Sequence, residues 1–387
     1  MIRDLSIKNY RCFEDFYVDG LAQVNLIVGD NNSGKTSFLE AIYLLVNQPK
    51  TKNEKVALVD ILEHRGEMIE ERTHKFTGNN RREISHFQDN YILNNLYYGY
   101  PDEFDTQKAY IISISSEKEQ SIHSTIRLYI DVDNTLISDL SISFLEEIGK
   151  EQELRKYITH SVDKYVPEEN SINNRVKVKY QNIKNNYFAF NNEIKNAFHY
   201  PCNCNFLFND HQHKYKIEDL WDSIILEAKE EKIIEALQII DTNIEKIHLP
   251  IKQIPRFPFL KIKGMNHYIP INSMGQGMSK ILILGMLIIR SENGVLLVDE
   301  IETGLHYKAQ TDMWRLLIKT AQELNVQIFA TTHSWDCICA YQEALEDIED
   351  KSVGKLFRLD SKYGKLRAVE YKADEISIAI NQDIEVR

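Results

Sequence analysis

One short segment combines glycine, lysine and hydroxyl side chains at a spacing suited to phosphate. Residues 29–36 read Gly-Asp-Asn-Asn-Ser-Gly-Lys-Thr, which is the G-x-x-x-x-G-K-T pattern of a P-loop. Glycines let such a loop turn tightly, and backbone N–H groups at the start of the following helix converge on a polyphosphate. Lys35 is predicted to reach the β- and γ-phosphates, and Thr36 to take a place on Mg²⁺. The predicted nucleotide-binding residues here are Gly29, Asn31, Asn32, Ser33, Gly34, Lys35, Thr36 and Ser37.

Two adjacent carboxylates could complete the chemistry of such a site. The apolar run 295–298 leads directly to Asp299 and Glu300, and a buried strand that ends in acids is a Walker B pattern. Asp299 is predicted to hold Mg²⁺ and Glu300 to polarise the attacking water. A second buried strand is predicted over 326–334 and ends in Thr-Thr-His, and its His333 is predicted to hydrogen-bond the γ-phosphate or that water.

A third segment places Ser273, Gly275 and Gly277 just before the apolar run 279–289. A hydroxyl, backbone N–H groups and the positive end of a helix dipole form a surface that receives anions. A chain with a P-loop does not need a second such surface for the same phosphate. The segment is therefore predicted to complete the nucleotide site of another subunit, and an ordinary helix N-cap is the alternative.

Hydrophobic patterning predicts the elements that position these motifs. The run 24–28 is apolar and β-branched, which favours a buried strand, and 37–46 has the periodicity of a helix packed along one side. The segment 144–200 has no readable pattern and could be a helical arm or an irregular cap. Further predicted elements are a hairpin over 2–8 and 13–18, a strand pair over 109–115 and 125–132, a long helix over 217–240, and short strands over 244–271.

Length and charge limit the function classes. A chain of 387 residues has room for two domains, or for one domain with a large insertion. A formal charge of −12 argues against a protein that coats nucleic acid through its overall electrostatic field. It does not exclude binding through a local basic patch. The sequence shows no signal-peptide core and no membrane-spanning run, so a cytoplasmic protein without a membrane partner is expected. Candidate DNA-contacting patches are Arg81-Arg82, the series Arg175, Lys177, Lys179 and Lys184, and the group Arg256, Lys261 and Lys263.

Five cysteines, an odd number, favour free thiols over a disulfide framework. Soft ligands do cluster in one region, but their C-x-C and H-x-H spacings differ from those of common zinc sites. The favoured interpretation is a strand over 202–208 followed by a polar loop, with metal binding left as the alternative. The residues concerned are His199, Cys202, Cys204, His211 and His213.

In their order and spacing these motifs resemble the ABC-type ATPases of the RecF/SMC/OLD group, where OLD means overcoming lysogenization defect. The segment 299–306, Asp-Glu-Ile-Glu-Thr-Gly-Leu-His, is most similar to the OLD branch. The resemblance covers residues 1–46 and 265–340. The part between them is assigned only from its position between the two matching segments. The segments that carry it are 5–13 (Leu-Ser-Ile-Lys-Asn-Tyr-Arg-Cys-Phe), 29–37, 273–280, 296–306 and His333.

The resemblance implies an α/β fold of the ABC-ATPase head type. A P-loop NTPase core of mixed or parallel strands would be flanked by helices, with an inserted α/β or helical cap. The implied divisions are an N-terminal lobe with the P-loop over 1–48, an inserted region over 49–240, and a C-terminal lobe over 241–387.

The resemblance also implies a mechanism in which two copies close around two nucleotides. Ser273, Gly275 and Gly277 of one subunit would face the γ-phosphate held by Lys35 of the other, and 302–306 would lie at the dimer seam. A glutamine should coordinate Mg²⁺, and Gln88 and Gln107 are both possible. A homodimer or a higher homo-oligomer is therefore expected.

The implied role is a slow or stimulus-dependent ATPase that uses ATP and Mg²⁺. About fifty residues follow His333, too few for the Toprim nuclease domain of OLD proteins, so Asp374, Glu375 and Asp383 are not expected to form a nuclease site. A separate effector in a prokaryotic anti-phage defence or toxin–antitoxin-like pair is expected instead. One alternative is a DNA-structure-binding ATPase of the recombination and repair kind, and another is a nucleotide-gated scaffold.

Overall fold

The fold is described from a computed structural model, which divides into two compact units. One unit comprises Met1, Leu21–Leu39 and Pro201–Arg387, and the other comprises Ile2–Gly20 and Glu40–Tyr200. The division of the chain at residues 48 and 240 stays a prediction. The structure describes residues 1–47, 57–77, 82–92, 94–100, 110–116, 122–130, 136–144, 175–182, 187–190, 203–209, 217–250, 257–362, 365–382 and 384–386.

The elements are numbered along the chain. The strands are β1 (Asp4–Tyr10), β2 (Phe13–Asp19), β3 (Val24–Val28), β4 (Met68–Thr77), β5 (Arg82–Ile92), β6 (Tyr110–Ser116), β7 (Ile122–Ile130), β8 (Leu136–Phe144), β9 (Arg175–Asn182), β10 (Tyr187–Phe190), β11 (Cys204–Leu207), β12 (Ile244–His248), β13 (Phe259–Ile262), β14 (Tyr268–Pro270), β15 (Val295–Val298), β16 (Gln327–Thr331), β17 (Gly354–Lys362) and β18 (Lys365–Lys372). The helices are α1 (Lys35–Val46), α2 (Ala57–His64), α3 (Ile217–Leu226), α4 (Glu230–Gln238), α5 (Gln276–Arg290), α6 (Tyr307–Glu323), α7 (Trp335–Glu346) and α8 (Ala373–Asn381).

The first unit is built on a six-stranded sheet with the order β11-β15-β16-β3-β17-β18. Neighbours are parallel from β11 to β17, and β18 pairs with β17 in the antiparallel sense. Every residue of β3, β15 and β16 is buried, as expected for parallel strands that are covered on both faces. Parallel strands bring their carboxyl ends to one edge, so the P-loop, the Asp-Glu pair and the His333 segment meet there.

Helix α5 carries much of the hydrophobic core of this unit. Its residues from Ile281 to Ile289 are all buried, because they pack against α3, α4 and α6 as well as the sheet. Trp314 of α6 packs edge-on against Tyr341 of α7, with ring centroids 4.8 Å apart. The short strands β12, β13 and β14 form a separate antiparallel sheet, as predicted for 244–271.

The second unit holds a nine-stranded sheet with the order β2-β1-β6-β7-β8-β9-β10-β5-β4. The predicted hairpin is confirmed by the antiparallel pairing of β1 with β2, and the predicted strand pair by that of β6 with β7. The long antiparallel pair of β4 and β5 was not predicted, because the sequences of both strands are largely polar. Within the described residues, the insertion is therefore a sheet accompanied by α2.

A cluster of buried charged side chains joins β1 and α1 of the second unit to the segment that follows α2. Arg11 Nε lies 2.8 Å from Glu40 Oε2, and Arg11 Nη1 lies 3.0 Å from Glu67 Oε1. Arg65 Nε lies 2.7 Å from the other oxygen of Glu40, and Tyr10 Oη donates to Glu40 at 3.0 Å. Glu40 is fully buried, so two guanidinium groups and the Tyr10 hydroxyl compensate a carboxylate that has no access to water.

The prediction of one long helix over 217–240 is wrong, because the chain forms α3 and α4 with a break between them. Ala228 has φ of 53°, and Lys229 N–H donates to Ile224 O at 3.1 Å while Ala228 N–H donates to Ile225 O at 3.0 Å. These two bonds form a Schellman cap, which ends α3. Leu226, the last residue of α3, is 88% exposed.

Candidate active site

The P-loop follows β3 and needs glycine at its first position. Gly29 has φ of 146°, and a Cβ there would lie 2.6 Å from Leu359 O and 2.7 Å from Ser33 Oγ. Gly34 has φ of 91° and immediately precedes α1. The predicted order of strand, loop and helix is confirmed. The loop therefore leads into the N-terminus of α1, whose first backbone N–H groups lack helical partners and suit a phosphate.

Lys35 is buried within this loop. Its Nζ donates to Gly29 O at 2.7 Å and to Asp30 O at 2.8 Å, while Asn31 and Asn32 are exposed at the tip of the loop. Burial lowers the pKa of Lys35, and the carboxylates of Asp299, Glu300, Asp30 and Glu302 act in the opposite direction. The ammonium therefore lies among acids that favour its charged form.

The loop contains a polar atom that fits a phosphate ligand. Ser33 Oγ is buried and has no hydrogen-bond partner in the part of the chain that the structure describes. A buried hydroxyl in this condition costs free energy unless a ligand or water satisfies it. Ser37 is also buried, on the first turn of α1. The positions of Ser33 and Lys35 agree with their predicted roles, which stay predictions.

The P-loop and the end of β15 are joined by hydrogen bonds. Thr36 Oγ1 donates to Asp299 Oδ2 at 2.9 Å, and Thr331 Oγ1 donates to Asp299 Oδ1 at 2.6 Å. Hydroxyl and carboxylate oxygens are the ligands that Mg²⁺ prefers. Thr36 and Asp299, the two predicted metal ligands, are therefore adjacent, and their oxygens fit this metal.

Glu300 is held in an unusual backbone conformation by several partners. Its φ is 45°, which a non-glycine residue seldom adopts and which clusters at functional sites. Its N–H donates to Thr331 Oγ1 at 2.8 Å. Its carboxylate accepts from Thr303 Oγ1 at 3.2 Å and lies 3.2 Å from His333 Nε2. The structure therefore brings Glu300 and His333 together, as their predicted roles require.

Asn209 is a site residue that the sequence interpretation missed. Its Nδ2 donates to Glu300 Oε2, and its Oδ1 is buried with no hydrogen-bond partner among the described residues. Asn209 follows β11, which is parallel to β15, so both strands end at the same edge of the sheet. The local sequence does not signal this contact, because it depends on the pairing of β11 with β15.

The structure does not test the two glutamines suggested for Mg²⁺. Gln88 lies on β5, in the sheet of the second unit, and Gln107 lies outside the described residues. The choice between them stays a prediction.

Ser273 and Gly275 lie in a different local setting from the one predicted. The helix α5 begins at Gln276, its N-cap is Gly275 with φ of 94°, and no side chain caps it. Ser273 belongs to a preceding 3-10 turn, Ile271–Met274, and is exposed. The alternative of an ordinary N-cap with a glycine turn therefore agrees with the structure, with Gly275 as the N-cap residue. Within the described residues no hydrogen bond joins Ser273 to the P-loop of the same chain.

Gly277 lies in close packing against the following loop. A Cβ at this position would lie 3.1 Å from Gly304 O and 3.5 Å from Leu305 Cδ2. The start of α5 is therefore pressed against the loop that follows Glu300.

The alternative of a metal bound by the cysteine and histidine cluster is not tested by the described residues. Cys204 lies on β11, and His199, Cys202, His211 and His213 fall outside the described residues. Over the described ranges, no group of three or more His, Cys, Asp or Glu side chains is placed to hold a metal ion.

The predicted basic patches are only partly described. Arg82 lies on β5, Arg175, Lys177 and Lys179 lie on β9, and Lys261 and Lys263 lie on or next to β13. Arg81, Lys184 and Arg256 fall outside the described residues, as does Asp383. Among the helices that the structure describes, none is long and apolar enough to cross a membrane.

The fold and the site define a class: a P-loop ATPase with the head architecture of ABC-type ATPases. A family model described as AAA ATPase domain matches residues 1–338, and the chain belongs to this family. An "ATP/GTP phosphatase" of Helicobacter pylori is 25% identical over 373 residues, which are 93% of this chain and 92% of that protein. ATP binding follows from the family.

Further similarities agree with this assignment. A "DNA replication and repair protein RecF" of Streptococcus agalactiae is 41% identical, but only over 56 residues, 14% of this chain and 15% of RecF. The solved "SmcHead bound to the C-winged helix domain of ScpA" has a TM-score of 0.51 at 13% identity, covering 96% of this chain and 97% of that one. A head domain from Pyrococcus furiosus bound to the C-terminal domain of ScpA has a TM-score of 0.50 at 11% identity, covering 99% of both chains. These structures show a shared fold.

Proposed function

We propose that this chain hydrolyses ATP with Lys35, Thr36, Asp299, Glu300 and His333 as the working residues. The observation that carries the proposal is the hydrogen-bonded link from Thr36 through Asp299 to Thr331, which joins the P-loop to the ends of β15 and β16. Thr36 and Asp299 would hold Mg²⁺, which supplies charge neutralisation of the phosphates when bound.

The remaining residues divide the chemistry between charge stabilisation and water positioning. The Lys35 ammonium is placed to stabilise negative charge on the transferred phosphoryl group. Glu300 is placed to orient the attacking water, and Asn209, Thr303 and His333 hold its carboxylate. Because phosphoryl transfer depends mostly on positioning, these partners are expected to matter for turnover.

The direct test is phosphate release by the purified chain with Mg·ATP. Lys35→Ala is expected to lower kcat/KM by at least about a hundredfold, because a cation at the developing charge is lost. Lys319→Met, at an exposed lysine of α6, is the matched control and should keep the wild-type rate. Wild-type protein that releases no phosphate under any nucleotide condition would contradict the proposal.

We also propose that two copies close around two nucleotides. The exposed Ser273 and Gly275, with open space around the Gly275 position, support a role for this segment in a partner's site. Closure would bring them to the γ-phosphate held by Lys35 of the other subunit, and the loop 302–306 would lie at the seam.

A separate effector protein completes this proposal. The SMC head structures that share the fold are bound to domains of ScpA, which supports a protein partner for a head of this type. A role in anti-phage defence or in a toxin–antitoxin-like pair, with slow or stimulated turnover in the cytoplasm, stays a prediction. Co-purification of a neighbouring gene product, with ATPase activity that changes when it is added, is the expected result.

A second candidate function, DNA-structure binding, is favoured by one surface. Lys246, Lys261 and Tyr268 form a cross-strand row on β12, β13 and β14, and Lys261 Nζ lies 6.0 Å from the Tyr268 ring. Residues 244–270 contain five Lys and Arg but one acid, in a chain of formal charge −12. Cations beside an exposed aromatic ring suit a nucleic-acid strand.

DNA-stimulated ATPase activity tests this second candidate. Stimulation that falls steeply with salt, and falls further in Lys246→Glu/Lys261→Glu, would support it. If DNA changes neither the ATPase rate nor the electrophoretic mobility of the complex, DNA-structure binding is excluded as the function.

A further inference from the structure

The loops that follow β15 and β16 are joined by hydrogen bonds beyond the ends of the two strands. The parallel ladder between the strands ends with Val298 opposite Ala330. Past that point, Ile301 N–H donates to Thr331 O at 3.0 Å, and Glu300 N–H donates to Thr331 Oγ1 at 2.8 Å. These bonds set the spacing of the two loops at the edge of the sheet where the proposed site lies.

The Glu302 side chain makes the next link between these loops. Its Oε1 accepts from the backbone N–H of His333 at 3.0 Å. A carboxylate forms a stronger hydrogen bond with a backbone N–H than a neutral acceptor does. The other oxygen, Oε2, is buried and has no hydrogen-bond partner in the described part of the chain. Over that part of the chain, the hydrogen bonding of this carboxylate is therefore directed at His333 alone.

The loop that carries Glu302 is itself held by local hydrogen bonds. Thr303 N–H donates to Glu300 O at 3.0 Å, and Leu305 N–H donates to Glu302 O at 2.9 Å. Thr303 Oγ1 also donates to Glu300 Oε2 at 3.2 Å. Glu300 and Glu302 therefore extend from one hydrogen-bonded turn, which sets the distance between their side chains.

Glu300 and Glu302 contact His333 at two different places. Glu302 Oε1 accepts the backbone N–H, whereas Glu300 Oε1 lies 3.2 Å from the imidazole Nε2. One contact would leave the residue free to turn about it, but two contacts restrain both its position and its orientation. The side chains of His333 and Glu300 are 37% and 31% exposed, so burial supplies only part of this restraint.

We propose that Glu302 is a positioning residue for ATP hydrolysis, which accepts the His333 N–H and thereby holds the imidazole against Glu300. The inference rests on the proposed hydrolytic site and assigns Glu302 no contact with the nucleotide or with Mg²⁺. The role requires an acceptor oxygen at the position of Oε1 rather than a negative charge. Loss of that acceptor should therefore slow turnover and leave nucleotide binding nearly unchanged.

Steady-state ATPase kinetics of Glu302→Met, Glu302→Ala and Glu302→Gln test the proposal. The first two variants lack the acceptor and are expected to lower kcat about 10- to 100-fold, with KM for ATP within about threefold of wild type. Glu302→Gln should restore kcat to within about threefold of wild type, because its amide oxygen can accept the same N–H. Thermal unfolding identifies the folded acceptor-free variant that decides the result. Glu349→Met, at an exposed acid beyond α7, is the matched control.

A double-mutant cycle with His333→Ala tests whether the effect passes through the imidazole. If it does, Glu302→Met should slow phosphate release at least about tenfold in the wild-type background, and less than about threefold in the His333→Ala background. Single-turnover measurements follow the slow variants. Light scattering with Mg·ATP compares their assembly with that of wild type, because 302–306 would lie at the dimer seam.

Four results would each overturn the inference. They are equal losses in the two backgrounds, a Glu302→Gln variant as slow as Glu302→Met, a folded acceptor-free variant with wild-type kcat, and a slow variant that has lost an ATP-dependent dimer formed by wild type. Wild-type protein without ATPase activity would instead contradict the proposed function, so the two failures are distinguishable.

Discussion

At the scale of single residues, the site combines backbone strain with converging polar groups. Gly29 and Glu300 both have positive φ, at 146° and 45°, and each sits where a strand ends and a functional loop begins. For Gly29 the conformation is required by contact, since a Cβ would lie 2.6 Å from Leu359 O. For Glu300 it aims the carboxylate at Asn209, Thr303 and His333.

Gly29→Ala is predicted to destabilise the protein and weaken ATP binding. The left-handed backbone costs an alanine about 1–2 kcal/mol, and the clash with Leu359 O adds to it, so a loss of about 3 kcal/mol or more is expected. Gly264→Ala is the matched control, because Gly264 has φ of 81° with no atom near the Cβ position. Chemical denaturation of both variants measures the difference. Equal losses in the two variants would contradict the close approach at Gly29.

At the scale of elements, the sequence predicted those strands and helices whose positions follow from their own local hydrophobic pattern. The buried parallel strands β3 and β15 were predicted at their observed bounds from short apolar runs, and the strand predicted over 326–334 is present as β16, which ends earlier, at Thr331. The end of α3 was missed because its cap uses Ala228 at a position where glycine is the usual signal. The Asn209–Glu300 contact joins residues 91 positions apart, so no local pattern predicts it.

Glu40→Gln is predicted to be the most destabilising conservative change in the opening hairpin and α1. It would leave Arg11 and Arg65 buried beside an uncharged amide, and breaking a buried ion pair costs about 3–5 kcal/mol. Glu14→Gln, at an exposed position on β2, should cost less than about 0.5 kcal/mol. The free energy of unfolding from urea titrations provides the comparison. A loss below about 1 kcal/mol for Glu40→Gln would mean that the cluster contributes little.

At the scale of the whole molecule, the family and the fold define an ATPase head, and the proposed composite site would need two such heads. The P-loop, Asp299, Glu300 and His333 meet within one chain. Ser273 and Gly275 stay exposed and bind none of these residues through hydrogen bonds in the described part of the chain. A site completed by a second copy would need the segment with Ser273 and Gly275 to be exposed in this way. Formation of a dimer with ATP is therefore the central proposal.

The most direct measurement is the molar mass of Glu300→Gln by light scattering, with and without Mg·ATP. This variant should bind ATP and stall before hydrolysis, so its mass should double when nucleotide is added. Ser273→Arg in the same background should still bind ATP but remain at the monomer mass, because the arginine would block the partner's γ-phosphate. A molar mass that does not change when ATP is added would contradict the composite site. A Ser273→Arg variant that dimerises normally would contradict it as well.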